Sequence, residues 1–161
     1  MENVKIALAG NPNVGKSTVF NALTGLKQHT GNWTGKTVGV FSGEFKYNSK
    51  TYEIVDVPGT YSLIPHSKEE SVARDFLCFS QNDKILIVCD ATSLERNLYF
   101  VYQILELHKD TVVCVNLLDE AKKKGIEIDL QLLSYELGVT VVGAAAREEQ
   151  GIFEIKKALA D

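Results

Sequence analysis

Gly10-Asn11-Pro12-Asn13-Val14-Gly15-Lys16-Ser17 meets every fixed position of the pattern G-x-x-x-x-G-K-[S/T], and its flanks decide the fold. An apolar run, residues 4–9, precedes it. A helical pattern with Val19, Phe20 and Leu23 on one face follows it. Strand, glycine-rich loop and helix in that order form a phosphate cradle. Successive N–H groups wrap the phosphates, and the helix N-terminus adds partial positive charge. Gly10 and Gly15 let the main chain come close with no Cβ in the way. Asn11, Asn13, Val14 and Thr18 are expected around the same phosphates. Lys16 has the reach for the β- and γ-phosphates, and the Ser17 hydroxyl suits Mg²⁺. The expected ligand is a nucleoside triphosphate.

Outward from this loop, short apolar runs alternate with helical patterns. Strands are expected at 4–9, 38–47, 51–56, 85–89, 112–115 and 139–142, and helices at 16–24, 67–79, 94–107, 130–137 and 152–159. Asn48-Ser49 reads as the turn of a hairpin. In the helix over 67–79, Val72, Phe76 and Phe79 stand at helical spacing. Residues 26–37 have no periodicity, and long loops in compact domains are usually functional. The order predicts an α/β fold: a mostly parallel six-stranded sheet with one antiparallel edge strand and helices on both faces. Ligands then bind at the carboxyl ends of the strands.

Composition fits one globular domain: 161 residues, 45% hydrophobic and 24% charged. The net charge of −4 argues against a nucleic-acid partner. The one basic run, Lys122-Lys123-Lys124, suits a solvated helix end. Cys78, Cys89 and Cys114 lack C-x-x-C spacing and sit in apolar patterns, so buried thiols in a reducing compartment are expected. His29, His66 and His108 form no metal-binding pattern, and no apolar run is long enough to span a membrane.

Three further segments narrow the chemistry. Asp56-Val57-Pro58-Gly59 ends a strand in the D-x-x-G pattern: the carboxylate can hold a water of the Mg²⁺ shell and the Gly59 N–H can meet the γ-phosphate. Asn116-Leu117-Leu118-Asp119 follows another strand. A carboxylate there accepts two hydrogen bonds from guanine, whereas adenine presents an acceptor; Asp119 as a helix N-cap is the alternative reading. After the last strand, Ala144-Ala145-Ala146 can offer a main-chain N–H to guanine O6.

Together these segments resemble the Ras-like small-GTPase domain over almost the whole chain. More narrowly, residues 31–38 (GNWTGKTV), 56–63 (DVPGTYSL), 72–75 (VARD) and 90–98 (DATSLERNL) resemble the cytosolic G domain of bacterial ferrous iron transport protein B. That resemblance implies GTP and GDP as ligands, with Mg²⁺, and a GTP-hydrolysing switch working through residues 26–38 and 59–68. It implies a chain soluble at the cytoplasmic face of the cell membrane, as part of a parent transporter with a helical regulatory domain and a membrane domain. An oligomer of the parent is left open. No residue cluster suited to Fe²⁺ is present.

The resemblance also implies roles for individual residues. Thr37 takes the first-switch position, giving its hydroxyl to Mg²⁺ and its backbone to the γ-phosphate; Thr30 and Thr34 compete for it. Asn13 matches the phosphate-loop asparagine of K⁺-using relatives, with main-chain carbonyls of Gly31 and Trp33 as further K⁺ ligands. Asn13, Lys16, Thr37 and Gly59 are the expected catalytic set. Asn116, Asp119, Ala145 and Ala146 are the expected base-side set. Thr60 stands where many relatives have a water-orienting glutamine, which implies slow hydrolysis. Leu117 and Ala145 replace a common lysine and serine, which implies a loose base site. A ribosome-assembly or translational GTPase, a nucleotide switch without turnover and an ATPase remain as alternatives.

Overall fold

The structure, a computed structural model, describes residues 3–26, 28–32 and 39–161. Val4–Gly10 (β1) leads into Lys16–Thr24 (α1). Three strands follow: Gln28–Asn32 (β2), Gly39–Tyr47 (β3) and Lys50–Asp56 (β4). Beyond these come Lys68–Phe79 (α2), Lys84–Asp90 (β5), Leu94–Leu107 (α3), Thr111–Asn116 (β6), Leu118–Lys123 (α4), Leu130–Leu137 (α5), Thr140–Gly143 (β7) and Ile152–Ala160 (α6). The sheet runs β2-β3-β4-β1-β5-β6-β7. The pairs from β4 to β7 are parallel, whereas β2–β3 and β3–β4 are antiparallel.

This is the α/β fold expected, with one strand more. β2 lies inside the stretch 26–37 expected as loop, and it, not β3, forms the antiparallel edge. Its polar sequence has no apolar alternation, because an edge strand needs only main-chain pairing with its neighbour. The hairpin is as read: Asn48 and Ser49 are both left-handed (φ 48° and 63°), the twist that two-residue hairpins favour.

Alternation along the buried strands feeds two cores. Ile6 and Leu8 face α1 and α6 with Val19, Phe20, Leu23, Ile155 and Leu159; Ala7 and Ala9 face α2 and α3 with Phe76, Leu77, Phe100 and Ile104. The small residues on the second face of β1 let those helices approach closely. Ser67 caps α2 by accepting from Glu70 N (3.1 Å), which sets its start. The expectation of buried thiols is corrected at Cys78, and Phe79 lies outside the core. Phe79 ends α2 at 78% exposure, because Val72, Ala73, Phe76 and Leu77 already fill the inward stripe. Cys78 is only half-buried, whereas Cys89 and Cys114 are buried; burial pushes the Cys89 thiol up to about 12 and Cys114 higher still.

β1 is central, with β4 on one side and β5 on the other. The chain leaves β1 toward β2–β4 and then crosses from β4 through α2 to β5. The strand order therefore reverses at β1, and a crevice opens above its carboxyl end. The phosphate loop occupies it.

Candidate functional site

α1 begins at Lys16 with Gly15 as its N-cap, left-handed at φ 82° and without a side-chain cap. The leading N–H groups of α1 therefore have no partner within the helix. Both loop glycines are dictated by contact. A Cβ on Gly10 would stand 2.7 Å from the Val88 carbonyl oxygen, and one on Gly15 would stand 2.3 Å from Asn116 Nδ2. Asn13 is also left-handed (φ 64°) and exposed. Asn11, Pro12, Asn13, Lys16, Ser17 and Gly59 line one cleft of about 490 Å³.

Lys16 Nζ pairs with the Asp56 carboxylate across this cleft. Burial raises the Asp56 carboxyl above its ordinary value, opposed by the Lys16 ammonium. Asn11 is buried, and its Oδ1 has no hydrogen-bond partner among the described residues. A carboxamide oxygen accepts, so it fits a metal-bound water or an amide better than a phosphate oxygen. The hydroxyl of Ser17 and the carboxylate of Asp56 are hard oxygen donors of the kind Mg²⁺ takes alongside substrate phosphates.

The base side is built around Asn116, at the end of β6 and 1% exposed. Its Nδ2 donates to the Val14 carbonyl (3.1 Å), and its Oδ1 accepts from Ala146 N (3.0 Å). One side chain thus ties the phosphate loop to the loop after β7. Leu117 is left-handed (φ 65°) and serves as the N-cap of α4, so Asp119 lies in the first helical turn. The N-cap alternative for Asp119 is thereby excluded. Asp119 is half-buried and has no hydrogen bond or ion pair among the described residues. Leu117 Cδ2 would lie 3.9 Å from a Cβ on Gly15, against the loop. The main-chain N–H groups of the alanine turn are bonded within the protein. Ala144 N donates to Val115 O (2.9 Å), Ala145 N to Gln150 O (3.1 Å) and Ala146 N to Asn116. The turn thus braces the base side.

Residues 57–64 cross in front of the cleft. Val57 N donates to Leu8 O (3.0 Å) and Thr60 N to Gly10 O (3.1 Å). Thr60 is buried, and its hydroxyl donates to Ser62 O (2.7 Å), so it presents no side chain to the cleft. A Cβ on Gly59 would come within 3.3 Å of Pro12. Thr37, Thr34 and Trp33 lie outside the described residues. Gly31 lies in β2, paired with Val40 at the far edge of the sheet; among the described residues nothing joins it to Asn13. Sequence reasoning missed the bracing role of Asn116 and the part played by Gln103 of α3, which accepts from Leu63 N (2.9 Å). Their partners are far along the chain, so no local pattern marks them.

Arg74 pairs with Asp75, while Arg96 and Arg147 are exposed. Among the described residues no His/Cys/Asp/Glu group could hold a metal ion, and no helix is long and apolar enough to cross a membrane.

The family model for Ferrous iron transport protein B matches residues 4–159. The Fe(2+) transporter FeoB of Campylobacter jejuni is 43% identical over 152 residues, covering 94% of this chain and 25% of that protein. The G domain of the T. maritima FeoB iron transporter is 42% identical, with a TM-score of 0.92, covering 99% of this chain and 98% of that one. The cytosolic domain of the same transporter in its GMPPNP form is 43% identical, with a TM-score of 0.93, covering 98% and 62%. The chain spans a quarter or less of the curated relatives it matches first. It belongs to the ferrous iron transport protein B family and has the fold of that family's G domain.

Proposed function

We propose that this chain is one GTP-binding and GTP-hydrolysing unit of a ferrous iron transporter. The observation that carries the reading is the Asn116 bridge, which fixes the phosphate loop and the Asp119 helix in one frame. A carboxylate with no partner of its own, on that frame, is matched by guanine's ring N–H and exocyclic amine. Adenine would leave it unpaired. The kinship of the GMPPNP-form T. maritima cytosolic domain supports the same ligand class.

In this reading the α1 N–H groups and Lys16 bind and orient the phosphates, with Lys16 exchanging Asp56 for a phosphate oxygen. Ser17, Thr37 and, through a water, Asp56 would hold Mg²⁺, which supplies charge neutralisation on the transferring phosphoryl group. The Gly59 N–H reads the γ-phosphate. Asn13, with the main-chain carbonyl of Trp33, would hold K⁺. Thr60, its hydroxyl turned to Ser62, orients no water, which supports slow turnover. The decisive experiment is phosphate release from GTP and from ATP, each in K⁺ and in Na⁺. GTP turnover raised by K⁺ and little with ATP supports the reading. Equal rates in both salts, or full K⁺ stimulation kept by Asn13→Asp, overturn the cation part. Preference for ATP overturns the whole.

A further inference from the structure

We infer that Gln103 is a positioning residue that holds the γ-phosphate-reading segment in place. Gln103 sits on α3, half-buried, and its Oε1 accepts the Leu63 N–H at 2.9 Å. Its Nε2 lies 3.4 Å from the Tyr99 hydroxyl one turn earlier, which turns the oxygen toward Leu63. The segment it grips has few other holds. Upstream, Thr60 N bonds Gly10 O on the phosphate loop, and Gly59 packs against Pro12. Between the two anchors the bonds are local: Thr60 Oγ1 donates to Ser62 O, and Ser62 N donates to Thr60 Oγ1. Tyr61 and Ile64 are exposed, while Thr60 is buried and half-buried Leu63 packs against the core, so the Gln103 bond fixes the main chain where the segment returns to the core. Gln103 and the phosphate loop therefore clamp residues 59–63 from opposite ends, and contacts of the protein itself hold Gly59 beside the loop. Pre-organisation of this kind raises affinity for a ligand that uses the held group and leaves other ligands unaffected.

The inference rests on the proposed guanine site, and its test separates the two. Titrate wild type, Gln103→Leu and Gln103→Glu with GMPPNP and with GDP, each with Mg²⁺. Gln103→Leu keeps the bulk and loses the acceptor, so GMPPNP binding should weaken about three- to tenfold, the net size of one hydrogen bond, with GDP unchanged. Gln103→Glu keeps an acceptor for Leu63 N–H and should restore the GMPPNP-to-GDP ratio to within about twofold of wild type. An unchanged ratio in Gln103→Leu, or equal loss for both nucleotides, overturns the positioning role. Failure of wild type to bind either nucleotide overturns the guanine reading instead.

Discussion

The phosphate loop and residues 57–64 face each other across one cleft, yet they are held in opposite ways. The loop is fixed by groups that cannot yield. Gly10 abuts a strand carbonyl, Gly15 abuts Asn116, and the Val14 carbonyl is bonded from a side chain 102 residues away. Residues 57–64 are held by single hydrogen bonds around buried Thr60 and half-buried Leu63: Thr60 N to Gly10 O, Thr60 Oγ1 to Ser62 O and Leu63 N to Gln103. A ligand cradle must keep one shape to bind tightly, whereas a segment that senses one phosphate must have two arrangements close in energy. Under the proposed function, the difference between the two regions is a division between recognition and readout.

The strongest way to break this comparison is Asn116→Ala. It leaves the Val14 carbonyl and the Ala146 N–H buried without partners, each costing about 1–3 kcal/mol. The domain should lose several degrees of thermal midpoint, and GDP binding should fall about a hundredfold or more by calorimetry. Asp119→Asn touches the base alone. Guanine affinity should fall about ten- to a hundredfold while affinity for xanthine nucleotides rises, with the thermal midpoint nearly unchanged.

How far the site could be read beforehand follows the same line. Gly10, Gly15, Lys16, Ser17, Asp56 and Asp119 stand in short patterns whose chemistry is local, and the helix starting at Lys16 was legible from the loop before it. Asn116 was visible in its motif, but its work was not, because Val14 and Ala146 meet it only once β6 lies beside β1's loop and the turn after β7. The bracing by the three alanines was not legible either, since only the folded turn brings Gln150, Val115 and Asn116 to their N–H groups. β2 was hidden for a different reason: a polar edge strand carries no period-2 signal.

Smaller effects sharpen the readout side. Thr60→Ala removes the bond to Ser62 O inside a buried position, a loss of about 1 kcal/mol. GTP turnover should stay within about threefold of wild type, since the hydroxyl faces away from the cleft. A larger drop would show that Thr60 acts on the reacting water. Smallest is a pH dependence. The raised Asp56 carboxyl binds its proton more tightly folded than unfolded, so its contribution to stability falls as pH climbs from the ordinary value of 3.8 through the raised one, then levels off. Wild type should therefore lose stability relative to Asp56→Asn across that interval, as chemical denaturation at stepped pH would show. A gap independent of pH would mean that Lys16 cancels the burial.

The account turns on a carboxylate that selects a purine from a rigid frame. Displacement of a fluorescent GDP analogue by unlabelled GTP, XTP and ATP tests this most directly. GTP should displace it fully, while ATP at about a hundredfold higher concentration leaves it in place, and Asp119→Asn should hand the advantage to XTP. Displacement by ATP as readily as by GTP would contradict the account.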